Sequence, residues 1–296
     1  MNTTDSKKNT ISHNRSQIPK SIILTGKFLQ FISTKLVTKF AIKLFRTPIR
    51  FKTPEREKIM ANNAKMQMVL IPSLNKEVAV YTYGNCKRKA LLIHGWSGRG
   101  TQLYKIADKL LENGFMTISF DAPAHGKSTG KTTMMTEFIE TTKILNEKFG
   151  PFEIAIGHSL GGMTVLNSVK QFLTVKKAVI IGSGDIITDI IINFINKLEL
   201  NLKLVEKMKK IFFKKFNQDI DNFSASVAAK SVKIPTLVIH DSEDREVPVT
   251  CSYNIRENLE FGELIITNGL GHTRILKDTT VIKKIIEFIS DDRKNN

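Results

Sequence analysis

A serine with glycines two residues away on either side, Gly157-His158-Ser159-Leu160-Gly161, is the stretch of this chain best suited to nucleophilic chemistry. A serine hydroxyl attacks a carbonyl only when a base takes its proton and a third group holds that base in place. Ile154-Ala155-Ile156 before it is apolar and β-branched, whereas Met163, Val165, Leu166 and Val169 follow at helical spacing. The stretch therefore reads strand, tight turn, helix. That is the setting of a nucleophile elbow, in which glycines let the helix pass close to the strand and the serine stands exposed to a base. A helix starting at Leu160 also aims free N–H groups and the positive end of its dipole at an oxyanion formed beside the serine.

The elements that must position this serine alternate along the chain. Met66–Ile71 and Glu77–Tyr83 read as a hairpin, followed by apolar strands at Lys89–Ile93, Phe115–Phe120, Ile154–His158, Ala178–Gly182, Pro235–His240 and Glu263–Thr267. Helices are expected near 102–113, 132–148, 160–173 and 279–290. Such alternation predicts a mostly parallel sheet with helices on both faces. In that architecture ligands bind at the carboxyl ends of the strands, so the base and its partner should come from loops there. The loop after the 235–240 strand carries Asp241 and Asp244, and the loop after the last strand carries His272. The chain order Ser, Asp, His is the one that accompanies such an elbow.

Taken together, His94-Gly95-Trp96 with Gly98, the Asp121–Ser128 turn, the Gly157–Gly161 elbow and the Asp244 and His272 loops resemble the α/β-hydrolase superfamily over roughly residues 66–290. The resemblance implies an α/β-hydrolase fold with a small helical lid. It also implies Ser159 as nucleophile, His272 as general base and acid, and Asp244 as the group that orients the imidazole. The oxyanion would be held by the backbone N–H groups of Trp96 and Leu160. Members typically cleave esters, thioesters or amides without a metal or cofactor, so neither is expected. This chain departs from the pattern twice. Asp241 stands where many relatives have glycine, which leaves a second carboxylate as the alternative to Asp244 or as a turn cap. Ala124 stands where relatives often have glycine.

The other histidines read as supports: His158 beneath the elbow, His94 bracing the oxyanion loop, His125 in a turn beside it, His240 at a strand end, and His13 in the tail. Cys86 and Cys251 lack metal-ligand spacing and read as bystander thiols of a reducing compartment.

Composition bounds the rest. The 296 residues carry 45 Lys and Arg against 28 Asp and Glu, a formal charge of +17, yet no nucleic-acid-binding module is legible, and nucleic acid is not an expected partner. Residues 1–20 read as a disordered polar tail and 21–64 as a helical extension. Residues 65–296 read as the hydrolase domain, with a lid insertion at about 185–230 rich in Ile, Leu and Phe. Residues 21–45 read as one amphipathic helix, with Lys27, Lys35, Lys39 and Lys43 in one arc and Leu29, Leu36, Phe40 and Leu44 on the other side. Four charges make it a poor transmembrane span, so it is expected to pack on the body or to contact an anionic membrane peripherally. The first twenty residues show no secretory signal, and the cytoplasm is the expected compartment. The expected activity is serine-dependent cleavage of an acyl ester, with a ligand-binding or sensing protein on the same scaffold as the alternative.

Overall fold

The computed structural model describes residues 18–291. Eight strands form one sheet: β1 (Lys65–Ile71), β2 (Lys76–Tyr83), β3 (Arg88–Ile93), β4 (Phe115–Phe120), β5 (Ile154–His158), β6 (Lys177–Ile181), β7 (Thr236–Asp241) and β8 (Gly262–Thr267). The helices are α1 (Lys20–Ile32), α2 (Thr34–Phe45), α3 (Lys58–Asn63), α4 (Tyr104–Glu112), α5 (Met135–Phe149) and α6 (Leu160–Gln171), followed by α7 (Ile187–Lys197), α8 (Lys203–Phe216), α9 (Ala225–Ala229), α10 (Thr250–Glu257), α11 (Gly271–Arg274) and α12 (Thr279–Ser290).

Spatial order in the sheet is β1-β2-β4-β3-β5-β6-β7-β8. The first hairpin is antiparallel and β2 joins β4 antiparallel, while every other pairing is parallel. The β-branched strands predict this arrangement, because a parallel sheet covered on both faces must be apolar on both. Side chains alternate accordingly. Leu91, Ile93, Ala155, Ala178, Ile180 and Val238 enter one core. Ala90, Leu92, Ile154, Ile156, Val179 and Ile181 enter the other. A one-residue register slip would exchange the two sets. Ile93 lies opposite Gly157 and His158 opposite Ile181, so the loops after β3, β5 and β6 leave the sheet side by side.

A third core lies outside the sheet. Val37 and Ala41 of α2 pack against Ile191 and Ile195 of α7 and Leu204, Met208 and Phe212 of α8. The N-terminal extension and the inserted helices thus share one apolar interior, and neither half could bury it alone. The tail expected over residues 1–20 lies outside the described residues as far as residue 17, and Lys20 opens α1.

The single helix expected over 21–45 is broken. Ser33 adopts an extended conformation (φ −159°, ψ 123°) and separates α1 from α2. The break lets α1 fold back along α2, where Gly26 approaches Phe40 and Leu200. The lysine arc drawn for one continuous helix does not survive it. Glu55–Glu57 forms a 3-10 turn leading into α3.

Candidate active site

Ser159 sits between β5 and α6 with φ 54° and ψ −120°, a conformation an L-residue adopts only under constraint. The constraint is the close passage of α6 over the strand ends. A Cβ on Gly157 would lie 2.2 Å from the carbonyl oxygen of Gly161, and one on Gly161 would lie 2.2 Å from that of Ile93. The Ser159 N–H is held by the carbonyl of Ile181 at 2.9 Å, which anchors the turn to β6.

His272 and Asp244 meet from the loops after β8 and β7. The His272 Nδ1–H donates to Asp244 Oδ2 at 2.7 Å, which leaves Nε2 as the nitrogen with a free lone pair. Asp244 Oδ1 accepts the N–H groups of Glu246 at 2.8 Å and Val247 at 3.0 Å. The His240 imidazole adds its Nε2 at 3.4 Å from Oδ2. Burial works to raise the Asp244 pKa, but hydrogen bonds from His240, His272 and Val247 outweigh it and hold the carboxyl well below the usual carboxylate range.

Asp241, the alternative carboxylate, does something else. Its Oδ1 accepts from the N–H of Glu243 and of Gly271, and its Oδ2 from Thr267 Oγ1 and the N–H of Leu270. It staples the acid loop to the histidine loop and does not face the imidazole.

His158 lies under His272, their ring centroids 4.6 Å apart, and its Nε2–H donates to the His272 carbonyl at 2.9 Å. Burial lowers its pKa to about 3, so the ring is neutral and its Nδ1 is a buried lone pair without a partner among the described residues.

The loop carrying Trp96 is braced from below by two more neutral histidines. His94 donates from Nδ1 to the Gly95 carbonyl at 2.6 Å and accepts the Ala122 N–H on Nε2 at 3.0 Å. His125 donates from Nδ1 to the Pro123 carbonyl and accepts the Ser97 N–H on Nε2 at 3.0 Å. Burial lowers their pKa values to about 4 and about 3, and a proton on either Nε2 would remove an acceptor the loop depends on. Ala124, in the position often held by glycine, takes φ 66°, the left-handed region that explains a preference for glycine there.

Sequence reasoning missed three supports. Asp121 accepts the Gly100 N–H on Oδ1 and the Lys127 N–H on Oδ2, both at 2.7 Å, tying the loop after β4 to the Trp96 loop. The guanidinium of Arg99 grips Glu57 with Nη1 at 3.0 and 2.9 Å from the two carboxylate oxygens, and Thr101 Oγ1 donates to Oε2. The Ile49 N–H donates to Ser97 Oγ, while Arg50 donates to the carbonyls of Ala124, Ser128 and Gly130. The segment 46–57 is thus a strap across the loops beside the candidate nucleophile. The sequence marks the Asp121–Ser128 turn but not the partner of Asp121, and a Glu 42 residues from its Arg carries no local pattern that marks it.

Ser159, His272 and Trp96 open into one cavity of about 720 Å³. Its walls are largely apolar, with Leu160 and Met163 from α6, Ile190 and Phe194 from α7, Phe212 from α8, and Phe45 from the N-terminal extension. Cys251 also borders it, its thiol pushed up to about 11 by burial. The backbone N–H groups of Trp96 and Leu160 take no hydrogen-bond partner among the described residues. No hydrogen bond joins Ser159 Oγ to His272 among them, and the Glu246 carboxylate stands 3.8 Å from His272 Nε2. Among the described residues no group of three or more His, Cys, Asp or Glu is placed to hold a metal ion.

An eight-stranded, mostly parallel sheet with a serine at the turn after its fifth strand defines a class, and comparison with known proteins identifies it. The chain has the α/β-hydrolase fold. The family model described as alpha/beta hydrolase fold matches residues 91–191, from β3 into α7. Among solved structures, a protein named as a lipase from Acinetobacter baumannii is similar at 18% identity and a TM-score of 0.62, over 83% of this chain and 99% of that one. An esterase from Pyrococcus furiosus matches at 18% identity and a TM-score of 0.61, over 82% and 95%. A membrane phospholipase A described as a bacterial virulence factor matches at 15% identity and a TM-score of 0.60, over 92% and 98%. At such identities the likeness is one of fold. Among curated proteins no sequence matches.

Proposed function

We propose that this chain is a serine hydrolase that cleaves a carboxylic ester, or a related thioester or amide, of a hydrophobic acyl group through an acyl-enzyme. The observation that carries the reading is the bonded pair His272–Asp244 opening into the same cavity as a strained, elbow-held Ser159. His272 Nε2 takes the proton as Ser159 Oγ attacks the substrate carbonyl, and Asp244 stabilises the imidazolium. The N–H groups of Trp96 and Leu160 receive the oxyanion, Leu160 with the added field of the α6 N-terminus. The tetrahedral intermediate collapses, the alcohol leaves with the proton from His272, and the acyl group stays on Ser159. A water molecule, deprotonated by His272, then attacks the ester and releases the acid, restoring the hydroxyl.

The apolar walls favour an aliphatic or aromatic acyl chain, since each buried methylene contributes roughly 0.8 kcal/mol. A second reading, a ligand-binding protein on the same scaffold, draws on the absent Ser159–His272 hydrogen bond and on Glu246 beside Nε2. Such bonds often form only once substrate is bound. Turnover of p-nitrophenyl esters of increasing acyl length separates the two. The hydrolase reading expects an initial burst of p-nitrophenol and a rise in kcat/KM from acetate to medium chains. Absence of turnover with every ester from a folded protein would leave the binding reading.

A further inference from the structure

The N-terminal helix α1 is apolar on two sides. Its inner side packs Ile22 and Leu29 against the third core, with Gly26 against Leu200 and Gln30 accepting the Asn201 N–H, while Lys27 on the exposed flank pairs with Glu199. Its outer side carries Leu24, Phe28 and Phe31 at positions i, i+4 and i+7, one stripe opposite Gly26. These side chains are 66%, 64% and 92% exposed, and Ile32 beside them is 54% exposed. Single exposed apolar residues are ordinary, but an aligned stripe ending in an almost fully exposed phenylalanine costs free energy in water and marks a contact surface.

Charge identifies the surface it fits. Residues 18–54 hold eight Lys and Arg and no Asp or Glu. Lys35, Lys39 and Lys43 form an i, i+4, i+8 row on the outer side of α2, opposite the buried Val37 and Ala41, and none has an acidic partner among the described residues. Because α1 packs along α2, the apolar stripe and the basic row sit on neighbouring helices. Apolar side chains for the acyl boundary beside lysines for the headgroups is the composition of an interfacial helix. The helix has 13 residues, about 20 Å at 1.5 Å per residue, too short to span a bilayer. No helix among the described residues is long and apolar enough to cross a membrane.

We propose that α1 and α2 dock this protein on the surface of an anionic lipid bilayer, with Leu24, Phe28 and Phe31 entering the acyl boundary and the α2 lysines meeting the headgroups. The arrangement also bears on the cavity, because Leu44 and Phe45 at the end of α2 form part of its wall. The docked surface and the cavity wall are therefore one continuous piece of chain. Docking does not depend on the hydrolase reading, and it is tested by binding alone.

The test is co-sedimentation of the full-length chain carrying Ser159→Ala, which removes turnover, with two sets of vesicles. One set is phosphatidylcholine and the other contains about a quarter phosphatidylglycerol. The parent should partition at least about tenfold more strongly onto the anionic vesicles, and added salt should weaken it. Phe28→Ser with Phe31→Ser should cost about tenfold or more on anionic vesicles. Lys35→Gln with Lys39→Gln and Lys43→Gln should remove the preference for them. Both sets of changes should leave the far-ultraviolet circular dichroism spectrum unchanged and the melting temperature within a few degrees of the parent, which reports an intact body. A parent that stays in the supernatant with both vesicles overturns the proposal. So does a stripe variant that binds as well as the parent. Light scattering that shows a dimer, made monomeric by Phe28→Ser and Phe31→Ser, would assign the stripe to a second copy of the chain and equally overturn it.

Discussion

Asp241 and Asp244 lie three residues apart in one loop, yet only Asp244 touches His272, at 2.7 Å, while Asp241 accepts four hydrogen bonds, three of them from the segment that leads to His272. The same functional group thus serves orientation of the imidazole in one case and assembly of its scaffold in the other.

The two carboxylates should therefore fail differently. Asp244→Asn should keep the fold and lower kcat on the order of a thousandfold or more, because the amide no longer imposes the Nδ1–H tautomer. Asp241→Asn should lower stability by roughly 2–3 kcal/mol, since an amide cannot accept on both heads. Its kcat should fall far less where the protein remains folded. Urea denaturation beside ester kinetics for both variants checks the split, and a larger kcat loss for Asp241→Asn would reverse the assignment.

The strap over the Trp96 loop gives a second expectation. Glu57→Ala leaves the Arg99 guanidinium buried without its partner, and losing one member of a buried pair costs about 3–5 kcal/mol. Denaturant midpoints should show the loss. In the proposed mechanism the Trp96 N–H serves mainly the transition state, so below the transition kcat should drop with little change in KM. A near-neutral Glu57→Ala would deny the strap its role.

Acid should destabilise the protein well above the carboxylate range. His94, His125 and His158 have native pKa values of about 4, about 3 and about 3, against 6.5 when unperturbed. The unfolded chain therefore binds more protons than the native one as pH falls below about 6.5, and stability is lost in that direction. Each group contributes about 1.4 kcal/mol per pH unit until the native state is protonated. Asp244, held low in the native state, acts in the same direction at still lower pH: its contribution is present above the unfolded carboxylate value and lost as pH falls through the native one. The melting temperature should fall steeply between pH 6.5 and 4, and His158→Asn should make that slope shallower. A flat profile would mean these rings are not held neutral.

Cavity shape gives a further expectation. Ile190 borders the cavity and approaches Gly184 on the side of the inserted helices. Ile190→Trp should lower kcat/KM for octanoate and longer esters by about tenfold or more relative to acetate, because lost burial of several methylenes falls on the long chains alone. Equal losses for all chain lengths would place the acyl group elsewhere.

Much of the fold and site is legible in the sequence. The β-branched runs and the Gly157–Gly161 turn state their own local structure, since strand period, helix period and tight-turn chemistry are short-range properties. Loops at 241–248 and 268–273 followed from the rule that an α/β sheet presents its ligands at the carboxyl ends of its strands. What stayed hidden depends on meetings between distant residues. Arg99 finds Glu57, Asp121 finds Gly100, and Phe45 reaches the cavity wall only through the packing of α2 on α7 and α8. The helical period ran unbroken through Ser33, so nothing local marked the break that turns Leu24, Phe28 and Phe31 outward. The resemblance favours Asp244 over Asp241, but what Asp241 does instead follows only from its partners Thr267, Leu270 and Gly271.

Active-site labelling asks whether Ser159 is a nucleophile activated by His272. Purified wild type, Ser159→Ala and His272→Ala should be treated with a fluorophosphonate, and the site of modification read by peptide mass spectrometry. One adduct on Ser159 is expected in the wild type, none in Ser159→Ala, and labelling slowed by at least about a thousandfold in His272→Ala. A folded wild type that stays unlabelled, or an adduct that persists on another residue when Ser159 is alanine, would contradict that role of Ser159.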